Sequence, residues 1–109
     1  LLSRTPVKKL LLEGAAVDNN LLSTIAGENS IEELYLVFSS VTDEGLQALK
    51  HFKNLRTLVL RTDSITEEGL ENVLNLTDLV RLVVRADDIS EAVFASFRYL
   101  KQLEELSLR

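Results

Sequence analysis

His51 is the only histidine in the chain, and cysteine is absent. General acid–base catalysis leans first on histidine, while thiol nucleophiles and most transition-metal sites need cysteine or clustered histidines. Ser3, Ser39 and Ser40 carry hydroxyls, yet no base stands at a spacing that would activate them. Asp63, Asp87, Asp88 and Glu91 supply oxygens for a hard cation, but without the spacing of an EF-hand loop, and carboxylates near helix starts are already accounted for by the helix dipole. His51 has no nucleophile beside it and reads as an exposed turn residue. These residue types point to a chain with no catalytic group, no metal and no cofactor.

Arginine and aromatic residues carry the clearer chemical pattern. Arg61, Arg85 and Arg109 recur at a constant interval, next to a column of Leu11, Tyr35, Val59, Val83 and Ser107 at the same interval. Arg81 belongs to a third column with Lys9, Glu33, Thr57 and Glu105, and Val37 and Phe38 complete the aromatic and aliphatic neighbourhood of Tyr35. Tyrosine and arginine are the side chains enriched at interface hot spots. Arginines stacked on adjacent strands, about 5 Å apart, repel and call for an acidic partner or for interleaved carboxylates. Two readings follow from that requirement. In one, Leu11, Tyr35, Val37, Phe38, Val59, Arg61, Arg81, Val83, Arg85 and Arg109 form a strip that binds an extended or helical protein segment bearing acidic groups. In the other, Arg61 and Arg85 pair with Asp63 and Asp87 on the same rim and only keep the surface solvated.

A column requires elements that repeat, and the sequence supplies them. Stepping by 24 residues aligns Val7, Ile31, Leu55, Leu79 and Leu103; then Leu10, Leu34, Leu58, Leu82 and Leu106; then Leu12, Leu36, Leu60, Val84 and Leu108. The four whole repeats are 7–30, 31–54, 55–78 and 79–102, with partial repeats at 1–6 and 103–109. Alternation through Leu34-Tyr35-Leu36 predicts a short strand with the leucines on one face and Tyr35 on the other. A helix is predicted in the second half of each repeat, capped by Asp18, Thr42, Thr66 and Ser90. Val17, Val41, Ile65 and Ile89 precede the caps, and Leu22, Leu46, Leu70 and Phe94 follow at the spacing of a hydrophobic staple. Gly45 and Gly69 occupy one position of adjacent repeats, which predicts a close approach of backbone to a neighbour; no phosphate-loop sequence surrounds them.

The phased L-x-x-L-x-L pattern (VKKLLL, IEELYL, LRTLVL, LVRLVV, LEELSL) resembles that of leucine-rich-repeat proteins over essentially the whole chain. The resemblance implies an α/β solenoid arc, with a parallel sheet on the concave face and helices on the convex face. The strings VTDEGL at 41–46 and ITEEGL at 65–70 resemble the intracellular repeats of F-box substrate receptors and related bacterial arrays. One departure is the column Ala15, Ser39, Asp63 and Asp87, where the family usually places Asn or Cys to bond neighbouring loops. That loss puts stacking in doubt at the first repeat. Asn75-Leu76-Thr77 is formally a glycosylation sequon, of a kind that arises often by chance.

The 109 residues and the net charge of -5 frame the functional expectation. An acidic balance argues against nucleic acid, which asks for a basic footprint, and no apolar run approaches a membrane span. What remains is a non-catalytic module recognising a protein on the concave sheet, for which the resemblance suggests substrate recognition in a ubiquitin-ligase adaptor. A structural spacer is the rival, and an innate-immune sensor or bacterial effector array a further alternative. Absence of cysteine and of a signal-peptide pattern favours an intracellular, cytoplasmic or nuclear location. Leu1-Leu2 match the end of a preceding helix, and Arg109 falls inside a strand, so the single segment 1–109 is expected to be an excerpt of a longer array.

Overall fold

The computed structural model describes residues 6–28, 30–85 and 89–108. Five strands, β1 (Lys9–Glu13), β2 (Glu33–Val37), β3 (Thr57–Arg61), β4 (Arg81–Arg85) and β5 (Glu105–Leu108), form one parallel sheet in chain order. Their register is the sequence repeat itself: Leu10 pairs with Leu34, Leu34 with Leu58, Leu58 with Leu82 and Leu82 with Leu106. At the entrance to the sheet one carbonyl of each repeat accepts two N–H groups of the next. Lys8 O takes Glu32 and Glu33, Glu32 O takes Arg56 and Thr57, Arg56 O takes Val80 and Arg81, and Val80 O takes Glu104 and Glu105, all at 2.7–3.1 Å. This repeated junction holds the strands at one offset.

The inward leucines explain why the sheet needs a second layer. Leu34, Leu36, Leu58, Leu60, Leu82 and Val84 are buried among Leu46, Leu49, Phe52, Leu70, Val73, Leu76, Phe97 and Leu100 from the other half of the repeats. That half is short and tightly wound: α1 (Asn19–Ile25), a 3₁₀ helix (Gly45–His51), α2 (Glu67–Leu70) running into a 3₁₀ stretch (Glu71–Asn75), and α3 (Glu91–Ser96) running into Phe97–Tyr99. A 3₁₀ helix rises about 2.0 Å per residue against about 1.5 Å in an α-helix, so the return between strands is spanned with fewer residues. Among the described residues no helix is long and apolar enough to cross a membrane.

The caps divide into two kinds. Asp18 and Ser90 accept the N–H of Leu21 and Val93 from their own helices, as their residue types predict. Thr42 and Thr66 do not cap. Their hydroxyls turn to the preceding repeat, Thr42 accepting from Asn19 Nδ2 at 2.9 Å and Thr66 donating to Asp43 Oδ2 at 2.5 Å. In the same positions Asn19 Oδ1 accepts the N–H of Thr42 at 2.9 Å, Asp43 Oδ1 accepts that of Thr66 at 2.7 Å, and Glu67 Oε1 accepts that of Ser90. Asn19, Asp43 and Glu67 thus clamp one repeat to the next.

This clamp explains the glycines. A Cβ on Gly45 would lie 2.6 Å from Asn19 Cγ, and one on Gly69 would lie 2.8 Å from Asp43 Cγ and 2.9 Å from Asp43 Cα. The next member of that column is Val93, and there the clamp residue is Glu67, whose longer arm reaches the N–H of Ser90. Val93 packs on the core there, as Leu21 does in the first repeat, but Phe94 is 54% exposed whereas Leu22, Leu46 and Leu70 are fully buried. The expected staple residue Phe94 is therefore not a core residue.

The loop column also behaves differently from expectation. Ser40 Oγ donates to Ala15 O and Thr62 Oγ1 to Ser39 O, each at 2.8 Å, so the column's carbonyls accept from hydroxyls of the following repeat. Ser40 N also donates to Val17 O at 2.8 Å, and the first repeat is stacked like the others. Stacking there does not need an Asn in the column.

Candidate functional site

Alternation leaves Tyr35, Val37, Val59, Arg61, Arg81, Val83 and Arg85 on the face of the sheet that carries no helices, where they line one groove of about 470 Å³ with Glu105 and Ser107. The groove runs across β2 to β5. Val59, only 6% exposed, is its floor, and Tyr35, Val37 and Val83 are half-buried beside it. Leu11 shares the Tyr35 column but does not line the groove; it stands 60% exposed on β1. Phe38 also lies outside the lining, while Arg109 and Asp87 fall outside the described residues.

One wall of the groove is internally neutralised. Arg81 Nε donates to Glu105 Oε2 at 2.7 Å across β4 and β5, and this hydrogen bond and the Glu105 charge raise the guanidinium pKa above its ordinary value. Tyr35 Oη donates to Glu33 Oε1 at 3.2 Å and lies 3.5 Å from Arg81 Nη1, while Lys9 Nζ sits 5.2 Å from the centre of the Tyr35 ring. The third sequence column is thus a chain of alternating charge around Tyr35. Glu105 and Glu33 belong to the site, although residue type alone does not single them out. The signal lies in the spacing: a basic residue one period from an acidic one lands directly opposite it in a parallel register.

The other wall is not neutralised in this way. Arg61 and Arg85 are opposite each other in the β3–β4 register, and both are exposed. Among the described residues the one ion pair is Arg81–Glu105, so Arg61 does not pair with Asp63. Its guanidinium lies 5.7 Å from the centre of the Phe38 ring. Phe38 itself is 58% exposed and has φ 52°, in the left-handed region that its column-mate Gly14 (φ 105°) occupies without a side chain. A bulky residue in that conformation is strained, and such strain collects at functional sites.

The remaining chemical candidates do not converge. His51 ends its 3₁₀ helix, exposed on the helical side. Ser39 Oγ accepts the N–H of Val41, and Ser40 is held by the Ala15 carbonyl. Asp63 and Glu91 form no metal-binding cluster among the described residues; Asp87 and Asp88 lie outside them. The chain matches no protein-family model, and no curated protein matches it.

Proposed function

We propose that the chain is a leucine-rich-repeat solenoid segment that acts as a non-catalytic recognition module, binding a protein segment along the groove of its concave sheet face. The observation that carries this reading is the asymmetry of the groove: a valine floor, one wall neutralised around Tyr35, and opposite it Arg61 and Arg85 without a carboxylate partner among the described residues. Two adjacent cations on an apolar floor favour a partner with acidic groups. The exposed, strained Phe38 beside Arg61 adds an aromatic anchor at the rim. The VTDEGL and ITEEGL strings support an intracellular substrate-receptor role of the F-box type, by analogy with that repeat style. The test compares proteins retained by the immobilised wild-type chain with those retained by Tyr35→Ala and by Arg61→Glu/Arg85→Glu. The reading requires specific species to be lost from both variants; equal retention would leave no role for this face.

A structural spacer is the second reading, and the clamps of Asn19, Asp43 and Glu67 are the observation in its favour. A spacer predicts that clamp variants impair the protein while groove variants do not.

A further inference from the structure

We propose that Arg61 and Arg85 together receive a phosphorylated side chain, a phosphoserine or phosphothreonine on an extended segment of the partner. This inference rests on the reading of the open face as a protein-binding surface and specifies the chemistry of its charged wall. Parallel pairing sets the two arginines opposite each other, and strands in a sheet lie about 4.8 Å apart. Both are exposed and both line the same groove. The third arginine of the groove is a useful contrast, because Glu105 answers its charge at 2.7 Å. Among the described residues no carboxylate answers the Arg61–Arg85 wall, and its charge is what an incoming group meets.

The choice of anion follows from charge and shape. A single guanidinium fork satisfies both oxygens of one carboxylate, which leaves the second arginine of a pair facing its like-charged neighbour. A phosphate monoester carries close to two negative charges and three acceptor oxygens, so it can bridge two guanidiniums at strand spacing and offset both. The Arg61 guanidinium carbon sits over the Phe38 ring, 5.7 Å from its centre, and a cation–π contact with a ring face uses none of the guanidinium N–H donors needed by an anion. Val37, Val59 and Val83 beside the pair offer apolar surface that free phosphate would not use but a flanking side chain would. The chain's net charge of -5 works against long polyanions, which places a single dianion on a peptide ahead of nucleic acid.

The experiment uses the whole chain and three matched sets of short fluorescent peptides, degenerate around a fixed central phosphoserine, serine or glutamate, read by anisotropy. Phosphoserine peptides should bind roughly tenfold or more tightly than serine peptides, as expected for a few new charge-assisted hydrogen bonds. Arg61→Gln and Arg85→Gln should each abolish that preference, and Arg98→Gln, exposed outside the groove in the Phe97–Tyr99 turn, should preserve it. A preference that survives the Arg61→Gln/Arg85→Gln double variant overturns the proposal. Equal binding of phosphoserine and serine peptides, lost in Tyr35→Ala, also overturns it while leaving the groove as a peptide site. No binding of any peptide counts against both readings. Displacement by a single-stranded oligonucleotide as effective as that by phosphoserine peptide would mark a general polyanion surface and overturn the specific claim.

Discussion

Asp43 grips Thr66 with both carboxylate oxygens, Oδ1 accepting the backbone N–H at 2.7 Å and Oδ2 accepting the hydroxyl at 2.5 Å. One short side chain thereby fixes the helix start of the following repeat. Asn19 makes the same two contacts one repeat earlier, with its Nδ2 donating to the Thr42 hydroxyl instead. The threonine hydroxyl, donor in one case and acceptor in the other, adapts to whichever group faces it.

The pair predicts a chemical distinction. Asp43→Ala removes an acceptor of the kind helix starts depend on and should cost about 1–2 kcal/mol. Asp43→Asn can copy Asn19 and should cost less than about 0.5 kcal/mol. Urea unfolding of the two variants checks this, and an alanine variant as stable as wild type would mean that the clamp contributes nothing.

Gly69→Ala should reverse the usual sign of a glycine-to-alanine exchange in a helix, which normally stabilises by about 0.5–1 kcal/mol. Here the new methyl meets Asp43 Cγ at 2.8 Å and Asp43 Cα at 2.9 Å, and the backbone atom cannot swing aside. A loss of about 1–3 kcal/mol is expected. Gly27→Ala is the control, since a methyl added there would meet nothing within 4 Å and stability should stay within about 0.5 kcal/mol. Similar thermal midpoints for the two variants would refute the close approach.

Leu70 and Phe94 hold one sequence position in adjacent repeats but opposite environments, 0% and 54% exposed. Leu70→Ala should therefore cost about 2–5 kcal/mol. Phe94→Ala should cost less than about 1 kcal/mol. Comparable losses in chemical denaturation would show that Phe94 is packed like its column-mates.

Phe38 should behave as a residue kept for something other than stability. Asn tolerates the left-handed conformation better, so Phe38→Asn should leave stability unchanged or raise it by up to about 1 kcal/mol, after the loss of the Arg61 contact. The same variant should weaken capture of partner proteins on the open face. A marked drop in stability with unchanged capture would assign Phe38 a purely structural part.

Much of the architecture was legible because a constant interval has one simple solution in three dimensions. Aliphatic residues in every row at Leu10, Leu34, Leu58, Leu82 and Leu106 have to be stacked, and in a parallel sheet stacking them also fixes what lies opposite Arg61 and Tyr35. The groove residues followed from alternation along those strands. Residue type was a poorer guide where one group has two available partners. Thr42 and Thr66 read as caps because threonine caps helices; what overruled that reading was the preceding repeat, which presents Asn19 and Asp43 as partners for the hydroxyls. Leu11 read as a groove residue because its column contains Tyr35, but the groove begins only at β2.

The sequence by itself determined the period, the five strands, their inward leucines and the columns of the open face, because those depend on spacing alone. Only the tertiary structure decided how the charges are shared out: Arg81 to Glu105, Arg61 to the ring of Phe38, Asp43 to Thr66. Coulomb attraction and hydrogen bonding fall off over a few ångströms, and a linear pattern cannot rank two partners whose distances are set by side-chain direction and loop path.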